Sequence, residues 1–147
     1  MATFQFGERR EVRDHFGRLT EIGQYALHVQ CPWRFVHGTT IAVGSGDLFH
    51  PSTDESIASS SERFDWHHRP NRRDELLAEL FKARSGGFIV RHAKLGDAGS
   101  CSISFEDDWC LELFPDSSVS VEHWRLFSTL NDDQMVVTGP DGDVSRQ

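Results

Sequence analysis

The second half of the sequence contains five short apolar runs, which are separated by turns rich in Gly and Asp. Each run has the length of a β-strand and carries the β-branched and aromatic residues that pack well on a pleated sheet. Strands at this spacing are typical of an antiparallel meander, because short turns join antiparallel neighbours. We therefore predict strands at residues 88–95, 100–105, 109–114, 122–127 and 134–138.

An earlier segment, YALHVQCPWRF at residues 25–35, alternates apolar and polar side chains as a half-buried strand does. The residues expected to face the core are Tyr25, Leu27, Val29 and Cys31. Those expected on the outer face are Ala26, His28 and Gln30. Pro32 has no backbone N–H, so the strand should be bulged, bent or at an edge there. Residues 33–36 and 40–43 then predict an antiparallel hairpin.

One α-helix is predicted over residues 71–85. Asn71 can cap its first turn, and Gly86 and Gly87 follow as stop signals. Its apolar stripe consists of Leu76, Leu77, Leu80 and Phe81.

The remaining segments carry weaker patterns. Residues 1–20 place Val12, Phe16 and Leu19 at helical spacing, which predicts a short helix. Residues 50–70 are serine-rich and charged, and they predict a surface loop that Phe64 and Trp66 fix at one end. Together the elements predict one α+β domain spanning 1–147, with an antiparallel β-sheet meander or partly open barrel and one main α-helix packed on it.

Length and composition are those of a soluble globular protein. No stretch approaches the ~20 apolar residues of a membrane span, and no signal peptide is evident, so we expect a cytoplasmic protein. Cys31, Cys101 and Cys110 fit no disulfide framework, which predicts free thiols. Arg outnumbers Lys thirteen to two, which favours a bacterial source with GC-rich coding.

The net charge of −8 is unevenly distributed. Residues 106–143 hold ten Asp or Glu against the single base Arg125. This excess would repel a phosphate backbone and attract a basic protein surface. We therefore expect no nucleic-acid or membrane partner and consider a protein partner. The alternative is a solvated acidic face that only keeps the protein soluble.

The sequence holds no recognisable catalytic or metal-binding motif. His28, Cys31 and His37 are of the residue types that bind zinc, but positions 28 and 31 point to opposite faces of a regular strand. The same parity argues against Cys31 and His28 as a nucleophile and base pair. We therefore expect no catalytic residues, no metal and no cofactor, and the sequence favours a non-enzymatic protein.

Mixed aromatic and charged residues remain as candidate binding residues. Trp and Arg are enriched at binding hot spots, and strand faces that carry them can form a recognition surface. The candidates are His28, Gln30, Trp33, Arg34, Glu122, Trp124 and Arg125. The alternative is that Trp124 packs in the core and Glu122 only pairs with an Arg.

The order of these segments resembles a group of small uncharacterised bacterial proteins. The resemblance rests on IGQYALHVQCPWRF, the NRRDELLAELF helix, CSISFEDDWCLELFPD, VEHWRLF and MVVTG, over roughly residues 18–140. It implies a small sheet-rich domain with one helix and no established activity. Some small acidic bacterial domains of similar look are immunity proteins that neutralise a toxin.

Three functional hypotheses follow. The first is a non-enzymatic, immunity-like interaction protein that binds a basic protein through an acidic sheet face. The second is a small-molecule-binding or enzymatic β-barrel in which His28, Trp33, Arg34, Glu122 and Arg125 converge on a pocket. The third is a homodimer formed through an exposed strand edge near Pro32 or residues 134–138.

Overall fold

A computed structural model describes residues 1–53, 64–131 and 133–146. The described residues form ten strands and one α-helix. The helix is α1 (Arg72–Ala83). The strands are β1 (Ala2–Arg13), β2 (Leu19–Val29), β3 (Trp33–His37), β4 (Thr40–Gly44), β5 (Val90–Leu95), β6 (Cys101–Phe105), β7 (Trp109–Leu113), β8 (Glu122–Ser128), β9 (Gln134–Thr138) and β10 (Asp143–Arg146). The chain divides into two compact units, which we describe separately. The predicted single domain stays a prediction.

Unit 1 comprises Met1–Cys31, Gly96–Ser100 and Phe114–Gln147. Its sheet is antiparallel in the order β1-β2-β8-β9-β10. The buried side chains on it include Leu27, Val29, Trp124 and Val137. Because β9 is hydrogen-bonded on both sides, residues 134–138 are not a sheet edge, and β1 and β10 are the edge strands.

Unit 2 comprises Pro32–Leu95 and Cys101–Leu113. Its sheet is also antiparallel, in the order β4-β3-β7-β6-β5. The predicted β3–β4 hairpin is confirmed. The strands predicted at residues 100–105 and 109–114 are β6 and β7, which bury alternate residues: Cys101, Ile103 and Phe105 on β6 and Trp109, Leu111 and Leu113 on β7. Helix α1 contacts β4 and the 3-10 turn at Ser45–Phe49.

The α+β fold is thus confirmed, and so are the five strands of the predicted meander. They do not form one sheet, however, because β5, β6 and β7 belong to unit 2, whereas β8 and β9 belong to unit 1. Neither sheet closes on itself. None of the helices in the described part of the chain is long and apolar enough to cross a membrane.

The helix predicted in residues 1–20 is wrong, because this segment is β1 and its turn into β2. Asp14 closes the turn by accepting hydrogen bonds from the backbone N–H groups of Phe16 and Arg18, both at 2.9 Å. Phe16 and Leu19 are exposed. Three residues at helical spacing were a weak signal, and long-range pairing with β2 outweighed it.

The predicted inward face of β2 is correct for Leu27, Val29 and Cys31 but wrong for Tyr25, which is 41% exposed. Strand β2 pairs with β8 only from Tyr25 to Val29. Tyr25 therefore lies where the sheet thins to the two-stranded β1–β2 arm, and less of the sheet covers it. Ala26 was predicted to face outward but is buried, because this small residue lies between the larger Gln5 and Phe127.

The predicted loop at residues 50–70 falls partly outside the described residues. Its two described ends approach each other, since Ser52 N–H donates to the carbonyl of Pro70 and Arg72 N–H donates to that of His50. Phe64 and Trp66, which the sequence predicted to fix one end, are half-buried. The loop therefore leaves and returns at one place beside α1.

Asn71 caps α1 as predicted. Its Oδ1 accepts from the N–H of Asp74 at 3.0 Å, its Nδ2 donates to the Asp74 carboxylate, and the residue is 6% exposed. Buried polar groups need partners, so this cap holds both the helix start and the end of the loop.

We expect Asn71→Ala to lower the free energy of unfolding by about 1–2 kcal/mol, because the N–H of Asp74 loses its partner. Urea denaturation followed by circular dichroism measures the change. Asn71→Ser, which keeps a capping oxygen, should retain most of the stability. An equal loss in both variants would mean that packing of Asn71, and not the cap, matters.

Candidate functional site

Strand β8 contains a bulge that buries two consecutive residues. Glu122 pairs with Thr138 and Trp124 pairs with Val137, which leaves His123 without a partner of its own on β9. His123 and Trp124 are 2% and 1% exposed. Such a bulge inserts one extra residue and redirects the side chains that follow it. A regular strand would have buried only one of the two.

Each buried side chain at the bulge donates a hydrogen bond to a loop of unit 1, one loop around Gly99 and the other at residues 139–142. Trp124 Nε1 donates to the carbonyl of Gly99 at 2.8 Å, and His123 Nε2 donates to the carbonyl of Gly139 at 2.9 Å. The carbonyl of His123 accepts from the N–H groups of Gln30 and Cys31 at 2.8 and 3.1 Å. His123 and Trp124 thus join β8 to three other segments.

The two loops also contact each other through glycine. Gly99 and Gly142 have φ angles of +73° and +69°, and a Cβ on Gly142 would overlap the backbone of Gly99. Only glycine fits this close approach without strain. The loops are therefore held by backbone contact as well as by the two side-chain hydrogen bonds.

Four exposed acidic residues lie near the residues of this contact along the chain, namely Asp97, Asp116, Asp141 and Asp143. Asp97 precedes Gly99 by two residues, Asp141 and Asp143 flank Gly142, and Asp116 follows Pro115, which lies beside Gly99. None of the four has an ion pair within residues 1–53, 64–131 and 133–146. We call this group the acidic end of unit 1. The sequence indicated the excess of acid but not this grouping.

Four of the predicted binding residues also meet in unit 1. One oxygen of Glu122 accepts from Gln30 Nε2 at 2.8 Å and from Arg125 Nε at 2.9 Å. His28 lies opposite Arg125 in the β2–β8 register and packs edge-on against Phe127 at 4.8 Å. The arrangement is a paired, partly exposed polar patch, which can donate and accept hydrogen bonds.

The other three predicted binding residues lie elsewhere. Trp33 and Trp124 are 4% and 1% exposed, so both are core residues. Arg34 belongs to unit 2, where its Nε pairs with Glu112 at 2.5 Å across β3 and β7. The structure therefore assigns the seven residues to two different units, with Trp33 and Arg34 in unit 2 and the other five in unit 1.

The cysteines are free thiols, with Cys31 and Cys101 buried and Cys110 half-buried. Burial raises the pKa of Cys101 from its ordinary value of 9.0 to about 11, and the nearby Cys110 adds to the shift. Cys101 is therefore protonated at neutral pH and a poor nucleophile. Cys110 Sγ lies 3.2 Å from Ser102 Oγ.

Histidines in unit 2 take part in ring stacking. His37 stacks on Trp109 at 4.4 Å with the two rings 8° apart, and His67 stacks on Trp66 at 3.5 Å. Among the residues that the structure describes, no three His, Cys, Asp or Glu side chains are grouped to hold a metal ion.

An open cleft of about 610 Å³ in unit 2 is lined by Phe49, Phe64, Asp65 and Trp66. Sequence reasoning noted Phe64 and Trp66 only as residues that fix the loop, and it missed Phe49 and Asp65. The aromatic and acidic composition of FDWHH was the one available signal.

No protein-family model, curated protein or solved structure matches this chain.

We expect Trp124→Phe to cost about 1–3 kcal/mol of stability, because the carbonyl of Gly99 loses its donor inside the protein. Urea unfolding gives the value. The matched control is Trp66→Phe on a half-exposed residue, which should change stability by less than about 0.5 kcal/mol. Equal effects of the two substitutions would contradict a specific role for the Trp124 hydrogen bond.

Deprotonation of Cys101 should lower the free energy of unfolding at alkaline pH. Its pKa is higher in the folded chain than in the unfolded chain, so the unfolded chain loses its proton first, and stability decreases between about pH 9 and pH 11. The urea midpoint at about pH 8 and about pH 10.5 measures the decrease. Cys101→Ala should show a smaller decrease, and an unchanged one would rule out this thiol as its source.

Proposed function

We propose that this chain is a non-enzymatic interaction protein, immunity-like in kind, which binds a basic protein through the acidic end of unit 1. The observation that carries the proposal is that Asp97, Asp116, Asp141 and Asp143 lie within two residues of Gly99, Pro115 or Gly142, which meet at one contact. Trp124, His123 and the Gly99–Gly142 contact hold the loops that carry Asp97 and Asp141.

Charge supports this proposal because these carboxylates are not neutralised within the described residues. Arg125 pairs with Glu122, and Arg146 lies at the other end of β10 from Asp143. An uncompensated negative patch accelerates encounter with a positive surface and disfavours acidic partners. The net charge of −8 acts in the same direction.

The fixed backbone of the loops at the acidic end also supports the proposal. Loops that are fixed before binding lose less conformational entropy on association than flexible loops do. The two hydrogen bonds and the glycine contact fix the backbone of the loops that carry Asp97 and Asp141, and Asp143 directly follows the second of these loops. The adjoining polar patch of Gln30, Glu122 and Arg125 offers further hydrogen-bonding groups on the same sheet.

The test compares two variants of equal charge. One changes the acidic end, with D97N, D116N, D141N and D143N combined. The other changes four exposed acids outside it, with E8Q, E11Q, E79Q and D108N combined. Each immobilised protein is incubated with lysate of the source organism at about 50 mM and about 300 mM salt. Captured proteins are identified by mass spectrometry and mapped by cross-linking.

We expect the wild type and the control variant to capture the same basic protein at low salt, with cross-links near Asp97 or Asp141. The acidic-end variant should capture at least about tenfold less, since several charge pairs are lost together. High salt should weaken the capture. The absence of any specific partner at low salt, or equal capture by the two variants, would contradict the proposal.

A further inference from the structure

The cleft in unit 2 has two aromatic walls at right angles. The rings of Phe49 and Trp66 lie 5.7 Å apart with an angle of 86° between their planes. Phe49 ends the 3-10 turn Ser45–Phe49, where the carboxylate of Asp47 accepts from the N–H of Gly44 at 2.8 Å. Phe49 is nevertheless 59% exposed, so a large apolar ring stands open to solvent in the cleft.

Asp65 adds a carboxylate to the lining of the cleft. One of its oxygens accepts from the N–H of His67 at 3.0 Å, and the other lies 2.8 Å from His68 Nδ1. These hydrogen bonds lower the pKa of Asp65, so the carboxylate is ionised at neutral pH. The backbone carbonyl of Asp65 also accepts from the N–H groups of His68 and Arg69, which holds the turn closed.

A side-chain cation already lies over one aromatic ring at the cleft. The guanidinium carbon of Arg69 lies 5.8 Å from the centre of the Phe64 ring, within the range of a cation–π contact. His67 covers one face of Trp66. Among the described residues that contact the lining of the cleft, Arg69, His67 and His68 are positively charged or titratable, and the Asp65 carboxylate contacts the N–H of His67 and Nδ1 of His68.

From this geometry we propose that the cleft formed by Phe49, Phe64, Asp65 and Trp66 binds an organic cation with an alkylated ammonium group. Aromatic rings attract such a cation through their quadrupoles, and a carboxylate beside them supplies the opposite charge. A volume of about 610 Å³ is within the usual range for small-ligand sites.

Other ligand classes fit the cleft less well. An anion would meet the charge of Asp65 and the net negative charge of the protein. A bare metal ion needs several oxygen, nitrogen or sulfur ligands, and among the four lining residues only Asp65 offers such a group. A neutral apolar molecule would gain no electrostatic attraction from the carboxylate of Asp65. This site lies in unit 2 and does not depend on the proposed partner of unit 1.

The experiment uses two isosteric probes and the full chain. Choline carries a trimethylammonium group, whereas 3,3-dimethylbutan-1-ol has the same shape with a neutral carbon in place of nitrogen. Isothermal titration calorimetry and the indole signal of Trp66 in NMR follow binding. A second arm compares a peptide with trimethyllysine against the same peptide with lysine, which separates a free small molecule from a modified side chain as the source.

We expect saturable binding of at least one trimethylammonium probe, and about tenfold weaker binding of its neutral or unmodified counterpart. Asp65→Asn keeps the acceptor for the N–H of His67 but removes the charge, and it should weaken binding about tenfold. Trp66→Leu should weaken binding about three- to tenfold, since an apolar side chain remains without the aromatic ring. The control is Asp108→Asn, an exposed acid of unit 2 outside the cleft.

Three results would overturn the proposal. The first is the absence of binding by either trimethylammonium probe at millimolar concentration. The second is equal affinity for choline and its neutral analogue, which would indicate an apolar cleft without charge recognition. The third is equal weakening by Asp65→Asn and Asp108→Asn, which would indicate only a general effect of net charge.

Discussion

The bulge at His123 in β8 is the local constraint on which most of unit 1 depends. By inserting one residue, it turns His123 and Trp124 to the buried side together, and each indole or imidazole N–H then reaches a loop carbonyl. The same inserted residue changes the parity of the strand. Glu122 and Arg125 would point to opposite faces of a regular strand, yet here they form an ion pair.

The bulge therefore determines both the buried contacts and the exposed contacts of β8. Inside, Trp124 and His123 fix the turns around Gly99 and Gly139. Outside, Gln30, Glu122 and Arg125 share a hydrogen-bonded cluster. A change that removed the bulge would bury or expose the wrong residue at every later position of β8, because each side chain would move to the other face.

The distribution of charge also depends on the tertiary structure. The acid-rich region between residues 106 and 143 looks uniform in the sequence, but the structure distinguishes two groups of acids within it. Glu106, Asp107 and Glu112 pair with Arg91, Arg84 and Arg34 inside unit 2. Asp116, Asp141 and Asp143 join Asp97 at the acidic end of unit 1 without such pairs among the described residues. The carboxylates of the second group are therefore available to a partner, and among the described residues the exposed Asp108 and Asp133 also have no ion pair.

The sequence by itself determined the elements whose signals are local. Strands β6 and β7, the Asn71 cap and the end of α1 before Gly86 were all correctly predicted, because each depends on residues a few positions apart. Tertiary structure decided what depends on distant pairing. This includes the strand at residues 2–13, the separation of the meander into two sheets, the exposure of Tyr25, and the meeting of Gln30 with Glu122 and Arg125. It also includes the approach of Phe49 to Trp66 across the loop. Bulges and sheet membership follow from hydrogen bonds between residues far apart in the chain, which no local periodicity encodes.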